Sequence, residues 1–218
     1  MGEAALIGLI LAAAGAGSRF GGDIPKQFSS MSGKPLYLHA LEPFVEFFDE
    51  AVMVVPEAWK DRVEEQIQLL PYRGKLLLQT GGPERQDSVY RGLSWLSDSI
   101  QIVLVHDAAR PFVSQGLIAR VVEQTRQGGA CVPALPPRDT VKEVDFLKVL
   151  RTLDRRRLRL AQTPQGFEIN LLRRALEQAQ KEDFYGTDEA SLVERLGAPV
   201  YVVAGEPENI KVTWKEDL

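Results

Sequence analysis

Short apolar runs that alternate with amphipathic segments constrain the fold of this chain more than any other feature. The apolar runs cover residues 5–11, 51–55, 75–79, 102–105, 130–135 and 200–203. Segments with helical spacing cover residues 57–70, 84–95, 115–126 and 170–180. Apolar strands that alternate with amphipathic helices form mostly parallel sheets that are buried on both faces. The pattern therefore predicts an α/β fold with a mostly parallel sheet flanked by helices, in a single domain over residues 1–218.

The composition excludes several classes of site. The net charge of −4 is unlike the broad basic surface of a general nucleic-acid binder, so we expect no nucleic-acid partner. One cysteine, Cys131, and two histidines exclude an internal disulfide, a cysteine zinc site and a histidine-rich metal cluster. A metal ion would instead be a hard cation such as Mg²⁺, held by carboxylates and phosphate oxygens. Each apolar run is far shorter than the ~20 residues of a membrane span, and the first lacks the basic start of a signal peptide, so we expect a cytoplasmic protein without membrane contact.

The loop after the first apolar run has the composition of a phosphate-binding loop. Its small residues are Ala13, Ala14, Gly15 and Gly17. Because these positions carry little or no side chain, a ligand can approach the backbone N–H groups closely. Arg19 and Lys26 add two positive charges, which could hold a triphosphate and stabilise the charge that develops when one of its phosphorus atoms is attacked. A plain turn between a strand and a helix would leave these two cations unexplained.

Two common nucleotide-binding loops do not fit this segment. A dinucleotide-binding loop needs a third glycine, where this chain has Phe20, and an acidic residue at the end of the second strand, where this chain has Val55-Pro56. A P-loop needs Gly-Lys followed by Ser or Thr, and no such sequence follows the glycines. The segment therefore follows neither pattern, and the choice is between another kind of phosphate loop and a plain turn.

Two further polar segments follow predicted strands. Gly81-Gly82 comes after the third run, and Ser88 lies just inside the next helix. The glycines would bring backbone groups within reach of a flat base; alternatively they form only a turn, with Asp87 or Ser88 as a helix cap. Asp107 could bind a metal ion or a ribose hydroxyl, or form only an ion pair with Arg110. Because ligands bind beyond the carboxyl ends of parallel strands, we expect these segments to lie near the glycine loop.

Residues 136–160 interrupt the alternation of strands and helices. Two short alternating runs around a polar turn predict a β-hairpin that projects as an arm. An isolated hairpin is only marginally stable, so we expect a second copy of the chain to cover this arm in a homodimer; a loop folded flat onto the domain is the alternative. The arginines at positions 155, 156, 157 and 159 form either a solvated turn or a phosphate-binding group.

Nine short motifs follow one another along nearly the whole chain. They are Ala13-Ala-Gly-x-Gly-x-Arg19, Pro25-Lys-Gln27, Gly81-Gly-x-Glu-Arg85-x-x-Ser88, Val105-His-Asp-Ala-Ala-Arg-Pro111, Arg138-Asp-Thr140, Thr152-x-Asp-Arg155, Thr163-Pro-Gln165, Thr187-Asp-Glu-Ala190 and Asn209-Ile-Lys-Val-Thr213. In this order they resemble the 2-C-methyl-D-erythritol 4-phosphate cytidylyltransferase family of isoprenoid biosynthesis. The resemblance implies a nucleotide-diphospho-sugar-transferase-like fold, with an extended arm that builds a homodimer.

The resemblance also implies a reaction and a role for each matching residue. The family transfers a cytidylyl group from CTP to 2-C-methyl-D-erythritol 4-phosphate and releases pyrophosphate. By position, Arg19 and Lys26 would stabilise the transition state, and Asp107 would lie near the ribose and the methylerythritol. Thr140 and Arg155 would reach the methylerythritol phosphate from the arm of the other subunit. The cytosine, ribose and phosphates would be contacted by Ala13, Ala14, Gly15, Gly82, Ser88 and Lys211.

The implied mechanism needs no general base, because the attacking phosphate monoester is already ionised at neutral pH. Positioning, cations and Mg²⁺ would supply the catalysis. Two positions depart from the family: Pro83 stands where some members have an acidic residue, and Glu208 replaces a frequent Asp. Two alternatives remain open, namely a cytidylyltransferase that acts on a pentitol phosphate such as ribitol 5-phosphate, and a non-catalytic nucleotide-binding regulator.

Overall fold

A computed structural model of the chain describes residues 5–15, 20–21 and 24–217. The strands are β1 (Ile7–Ala12), β2 (Ser30–Met31), β3 (Lys34–Pro35), β4 (Glu50–Val55), β5 (Leu76–Thr80), β6 (Ile102–Asp107), β7 (Ala130–Leu135), β8 (Lys142–Asp145), β9 (Lys148–Thr152), β10 (Leu160–Ala161), β11 (Gln165–Glu168) and β12 (Tyr201–Ala204). The α-helices are α1 (Leu36–Leu41), α2 (Lys60–Ile67), α3 (Arg85–Leu93), α4 (Gln115–Gly128), α5 (Ile169–Lys181) and α6 (Glu189–Arg195). Within these ranges, no helix has the length and apolar character needed to cross a membrane.

The main sheet is mostly parallel, as the alternating pattern predicts. Its strands follow the order β10-β7-β11-β6-β1-β4-β5, and β12 pairs with β7. The pairs β1–β4, β1–β6, β4–β5 and β7–β12 are parallel. β11 lies antiparallel between β6 and β7, and β10 is antiparallel to β7. The carboxyl ends of β1, β4, β5 and β6 therefore share one edge of the sheet.

Helices cover the sheet on both faces, because the side chains of its central strands alternate between two apolar clusters. In β1, Leu9 and Leu11 pack in a cluster with residues of α1, α2 and α4. Ile10, between them, packs in the opposite cluster with residues of α3, α5 and α6. In β6, Leu104 and Val105 divide between the two clusters in the same way. Burial of apolar area at about 25 cal/mol per Å² fixes this register, since a shift by one residue would exchange the two faces.

The arm contains the predicted hairpin. β8 and β9 pair antiparallel, and the chain reverses at Phe146, where φ is +48°. The turn residues Phe146 and Leu147 are 97% and 102% exposed, and the apolar side chains of β9 are exposed as well. At the base of the arm, Leu160 pairs with Leu135 at the end of β7. Within one chain, the hairpin therefore projects with its apolar groups uncovered.

Several elements differ from the sequence-based expectation. The periodicity does not predict the short helices α1 and α6 or the antiparallel strand β11. β11 fits beside β6 and β7 because it contains Gly166, where an added Cβ would lie 2.2 Å from the side-chain oxygen of Thr125. The helix expected over 57–70 begins as a 3₁₀ turn at Glu57–Trp59 and ends with α2 at Ile67. This earlier end precedes Pro71, which disfavours helical backbone at the residue before it.

Candidate active site

A cavity of about 320 Å³ opens where β1, β5 and β6 end. It is lined by Ala12, Ala14, Gly15, Lys26, Gln27, Gly82, Pro83, Glu84, Arg85, Ser88, Asp107, Ala109, Lys211 and Thr213. Small-molecule sites in proteins commonly occupy about 300–1,000 Å³. The cavity is therefore of ligand-binding size, and it lies at the sheet edge where the sequence predicts a nucleotide.

The start of the glycine loop after β1 is held by hydrogen bonds from the side chain of Gln27. The buried side-chain amide of Gln27 donates hydrogen bonds to the carbonyl oxygens of Ala13, at 2.6 Å, and Gly15, at 2.9 Å. Next to Gln27, the ring of Phe28 stacks on Trp59 with 4.4 Å between ring centroids. These contacts hold the turn that carries Lys26 against Ala13 and Gly15 at the start of the loop.

The segment around Val212 forms another wall of the cavity. Lys26 Nζ donates to the carbonyl oxygen of Val212 at 2.7 Å. The N–H of Val212 donates to the carbonyl oxygen of Ala109 at 2.8 Å, and its side chain is fully buried. The neighbouring residues Lys211 and Thr213 line the cavity. Segments from opposite ends of the chain therefore meet at the site.

The Gly81-Gly82 segment packs tightly against the glycine loop. A Cβ added to Gly81 would lie 2.3 Å from the Cβ of Ala14, so this position needs glycine for the close approach. The Ser88 hydroxyl accepts from the N–H of Gly82 and donates to the carbonyl oxygen of Glu84, both at 3.1 Å. Glu84 and Asp87 form a capping box at the start of α3, so the helix-cap alternative is correct for Asp87. Ser88 instead shapes the loop that faces the cavity.

Asp107 stands at the end of β6 among three cations. Its Oδ2 lies 2.7 Å from Lys211 Nζ, and its Oδ1 lies 3.2 Å from the Arg85 guanidinium. Arg110 Nε is more distant, at 4.0 Å from Oδ2. Burial alone would raise the pKa of Asp107, but Arg85, Lys211 and Arg110 together hold it well below its ordinary value. Asp107 is therefore a permanent anion, and the simple pair with Arg110 is a minor part of its surroundings.

Arg85 connects this carboxylate to a second, deeper one. Its Nη1 lies 2.5 Å from Oε1 of Glu189, the first residue of α6, which is 1% exposed. Burial would lower the pKa of the guanidinium, but the two carboxylates outweigh it and raise that pKa above its ordinary value. The sequence places Arg85 and Glu189 within motifs without assigning them a role. Their contact, between residues 104 positions apart in the chain, is what indicates a role for them.

A buried hydrogen-bond chain holds the backbone of Asp107. Its N–H donates to Thr163 Oγ1 at 3.1 Å, and Thr163 Oγ1 lies 3.0 Å from Nδ1 of the fully buried His106. His106 Nε2 lies 3.1 Å from the carbonyl oxygen of Arg110. A carbonyl oxygen can only accept, so Nε2 carries the proton and Nδ1 accepts from the Thr163 hydroxyl. Burial lowers the pKa of His106 to about 4, which keeps the ring neutral at pH 7.

The structure gathers most of the residues that the sequence nominates. Ala14, Gly15, Lys26, Gly82, Ser88, Asp107 and Lys211 all line the cavity. Ala13 is buried beneath it and contributes its carbonyl oxygen to Gln27. Thr140 and Arg155 are exposed on the arm and do not line the cavity of their own chain. Arg19 and Gly17 lie outside the described residues. The roles assigned to all of these residues remain predictions.

The cavity offers few ligands for a metal ion. Within the described ranges, no group of three or more histidine, cysteine or acidic side chains could hold a metal ion. Glu84 and Asp107 are the carboxylates that line the cavity, and the Glu84 side chain already caps α3. Mg²⁺ is often bound by one or two carboxylates together with substrate phosphates. Of these two carboxylates, Glu84 caps α3 and Asp107 pairs with Arg85 and Lys211, so a Mg²⁺ ion here would depend mainly on the phosphates of a nucleotide.

Glycine-rich loops, several cations and the carboxyl ends of parallel strands together define a nucleotide-binding α/β protein. Comparison with known sequences identifies the family within this class. The sequence model of IspD, the 2-C-methyl-D-erythritol 4-phosphate cytidylyltransferase, matches residues 7–218, and the chain belongs to this family.

Relatives and solved structures agree with that membership. The chain is 43% identical over 216 residues to the 2-C-methyl-D-erythritol 4-phosphate cytidylyltransferase of Syntrophus aciditrophicus, covering 96% of this chain and 91% of that protein. It is 46% identical over 219 residues to a bifunctional IspD/IspF enzyme of Solidesulfovibrio magneticus, covering 96% of this chain and 54% of the relative. The crystal structure of the 2-C-methyl-D-erythritol 4-phosphate cytidylyltransferase of Thermus thermophilus superposes with a TM-score of 0.79 at 37% identity, covering 96% and 93% of the two chains.

Proposed function

We propose that this cavity binds CTP and that the enzyme transfers its cytidylyl group to 2-C-methyl-D-erythritol 4-phosphate. The products are 4-diphosphocytidyl-2-C-methyl-D-erythritol and pyrophosphate. Membership of the cytidylyltransferase family supports the reaction. The observation that carries the placement of the site is the pairing of Asp107 with Arg85 and Lys211, in a cavity that Lys26 and the two glycine loops also line.

The chemistry needs cations more than it needs a base. An oxygen of the acceptor phosphate attacks the α-phosphorus of CTP, and the bond from that phosphorus to the bridging oxygen of pyrophosphate breaks. The attacking oxygen is already ionised, so no proton has to leave it. Each pair of unit charges at ~4 Å interacts by about 4 kcal/mol at an effective dielectric constant near 20, so bringing two phosphate anions together requires several positive groups. Lys26 and Lys211 supply two of them, and Arg19 is proposed as a third.

The glycine loops suit the nucleoside part of CTP. The Gly82 backbone and the loop at Ala14 and Gly15 border the cavity without large side chains. We assign the cytosine and ribose to this side, where Ser88 fixes the Gly82 backbone. Pro83 has no side-chain hydrogen-bonding group, so base recognition here depends on the backbone. Asp107, whose two oxygens are held by Arg85 and Lys211, would face the ribose and the acceptor. A Mg²⁺ ion would be held mainly by the phosphates and would neutralise part of their charge.

The exposed arm supports a homodimer in which each chain completes the site of its partner. The apolar turn of the hairpin is uncovered in one chain. Thr140 and Arg155 stand near its base, where the Arg155 guanidinium donates to the carbonyl oxygen of Arg138 at 2.7 Å. Because these residues do not line their own cavity, we propose that they bind the acceptor phosphate in the cavity of a second copy.

A matrix of substrates tests the proposal. Pyrophosphate release is measured with CTP, UTP, ATP and GTP, each with 2-C-methyl-D-erythritol 4-phosphate and with ribitol 5-phosphate, and a preparation of Lys26→Ala controls for contaminating enzymes. We expect turnover with CTP and 2-C-methyl-D-erythritol 4-phosphate above all other pairs. Turnover with ribitol 5-phosphate alone would instead identify a pentitol-phosphate enzyme. Tight CTP binding without any turnover would identify a regulator.

A further inference from the structure

We propose that Glu189 is a positioning residue for this reaction, acting through Arg85 on Asp107; the inference rests on the proposed function of the cavity. Glu189 is not among the residues that line the cavity. It lies behind Arg85, on a different helix, and nothing in the implied mechanism uses it. Its effect on catalysis would therefore be transmitted by the guanidinium that it holds.

The geometry makes Arg85 a bridge between two carboxylates. Nη1 points to Glu189 Oε1 at 2.5 Å, while Nε and Nη2 both lie 3.2 Å from Asp107 Oδ1. Only one oxygen of Asp107 is therefore used by Arg85. The other, Oδ2, is left for Lys211 at 2.7 Å. This division of the two oxygens between two cations sets the direction of the Asp107 carboxylate and places the Lys211 ammonium beside the cavity.

Glu189 maintains the division because its charge competes for the guanidinium. An arginine beside a single carboxylate favours a two-pronged pair that uses both of its oxygens. Without a negative charge at position 189, Arg85 can turn and take both oxygens of Asp107, which displaces Lys211. Alternatively, the guanidinium is free to swing towards the phosphates. Either movement changes the placement of the charges that face the reacting groups.

The burial of Glu189 argues against a role in stability alone. Its Oε2 is buried and has no hydrogen-bond partner among the described residues. A buried carboxylate with an unsatisfied oxygen costs free energy, and a well-packed neutral side chain often serves stability as well or better. The charge at position 189 is therefore better explained by its effect on Arg85.

The test compares Glu189→Gln with Glu194→Gln, an exposed carboxylate on the same helix. Glutamine keeps the shape of Glu189 and removes its charge. We expect Glu189→Gln to lower kcat by about 10- to 100-fold, the loss typical of reacting groups displaced by a fraction of an ångström to about 1 Å. The KM for CTP should stay within about threefold, since the glycine loops are untouched. The control should match the wild type in both constants.

A second pair of variants separates positioning from stability. Arg85→Met leaves Glu189 as an uncompensated buried charge and should lower the Tm; adding Glu189→Gln should restore the Tm but not kcat. In the Arg85→Met background, Glu189→Gln should no longer change kcat, because its route of action is gone.

The outcomes distinguish this inference from the proposed function. An active wild type with an equally active Glu189→Gln, assayed well below its Tm, overturns the inference alone. A further loss of kcat on adding Glu189→Gln to Arg85→Met also overturns it, since Glu189 would then act by another route. A wild type without turnover on any substrate pair overturns the proposed function, and the inference with it.

Discussion

The buried histidine beside the active-site carboxylate makes the stability of the protein sensitive to mild acid. Burial lowers the pKa of His106 from 6.5 to about 4. In the unfolded chain the ring takes up a proton near pH 6.5, whereas the folded protein resists it until about pH 4. Protonation therefore favours unfolding throughout this window, and the free energy of unfolding falls as the pH decreases.

The size of the effect follows from the difference between the two pKa values. At pH 4 it amounts to about 3 kcal/mol, since each tenfold change in proton affinity is worth about 1.4 kcal/mol. The structural reason lies in the hydrogen bonds. Neutral His106 accepts from the Thr163 hydroxyl, but a charged ring would carry a proton on both nitrogens. Thr163 Oγ1 would then have to accept from both His106 and the N–H of Asp107, and its own proton would lose its acceptor.

Urea unfolding monitored by circular dichroism at pH 7, 6, 5 and 4 measures this dependence. His106→Gln is the matched variant, because its amide can still donate to the carbonyl oxygen of Arg110 but does not titrate. We expect the wild type to lose about 3 kcal/mol more than the variant between pH 7 and pH 4. Parallel curves for the two proteins, within about 0.5 kcal/mol, would refute the assignment of a buried neutral histidine.

Four further predictions concern the cavity and the arm. Lys26→Ala should lower kcat by about 100-fold, comparable to the loss of one oxyanion donor. Arg155→Ala should raise the KM for the phosphorylated acceptor far more than the KM for CTP, because it is proposed to contact the acceptor phosphate. Gly81→Ala should destabilise the protein by about 1–3 kcal/mol and weaken CTP binding, because its new Cβ meets Ala14. Gly15→Ala should weaken CTP binding with little change in Tm, because no atom of the described residues lies within 4 Å of a Cβ added there.

Each of these has a control and a contrary result. Lys34→Ala removes a lysine that pairs with Glu42 away from the cavity and should leave kcat unchanged; a Lys26→Ala rate within about threefold of the parent would reject the catalytic role. Equal KM changes for both substrates would place Arg155 elsewhere. Mixing Lys26→Ala with Arg155→Ala chains should regenerate one intact cavity per mixed dimer, and no recovery of rate would argue against a shared site. Equal Tm values for Gly81→Ala and the parent would contradict the packing argument.

The central sheet and the placement of the cavity could be predicted from sequence, because both depend on local pattern. Continuous apolar runs such as that in β6 predict burial on both faces, and small residues after β1 predict that a ligand can approach the backbone closely. Those signals require no knowledge of distant partners. The shared edge of the sheet then follows from parallel pairing, so the sequence alone predicts that Asp107 and Gly82 lie close together.

The features that the sequence does not predict depend on contacts between distant residues. β11 is four residues long and contains Gly166, so its pattern does not distinguish a strand from a loop. Gln27 matters because its amide reaches two carbonyl oxygens 12 and 14 positions away, which its neighbours in sequence do not reveal. Glu189 reads as an ordinary acidic residue at the start of a helix, where such residues are common. Its burial against Arg85 arises only from tertiary contacts.

The interior position of Val212 has a practical consequence for handling the protein. The N–H of Val212 donates to Ala109 and its carbonyl oxygen accepts from Lys26, so the chain near position 212 is a fixed wall of the cavity. A chain truncated before Asn209 would lack the Lys211 ammonium together with this wall. Such a chain should therefore be inactive even where most of its helical signal survives.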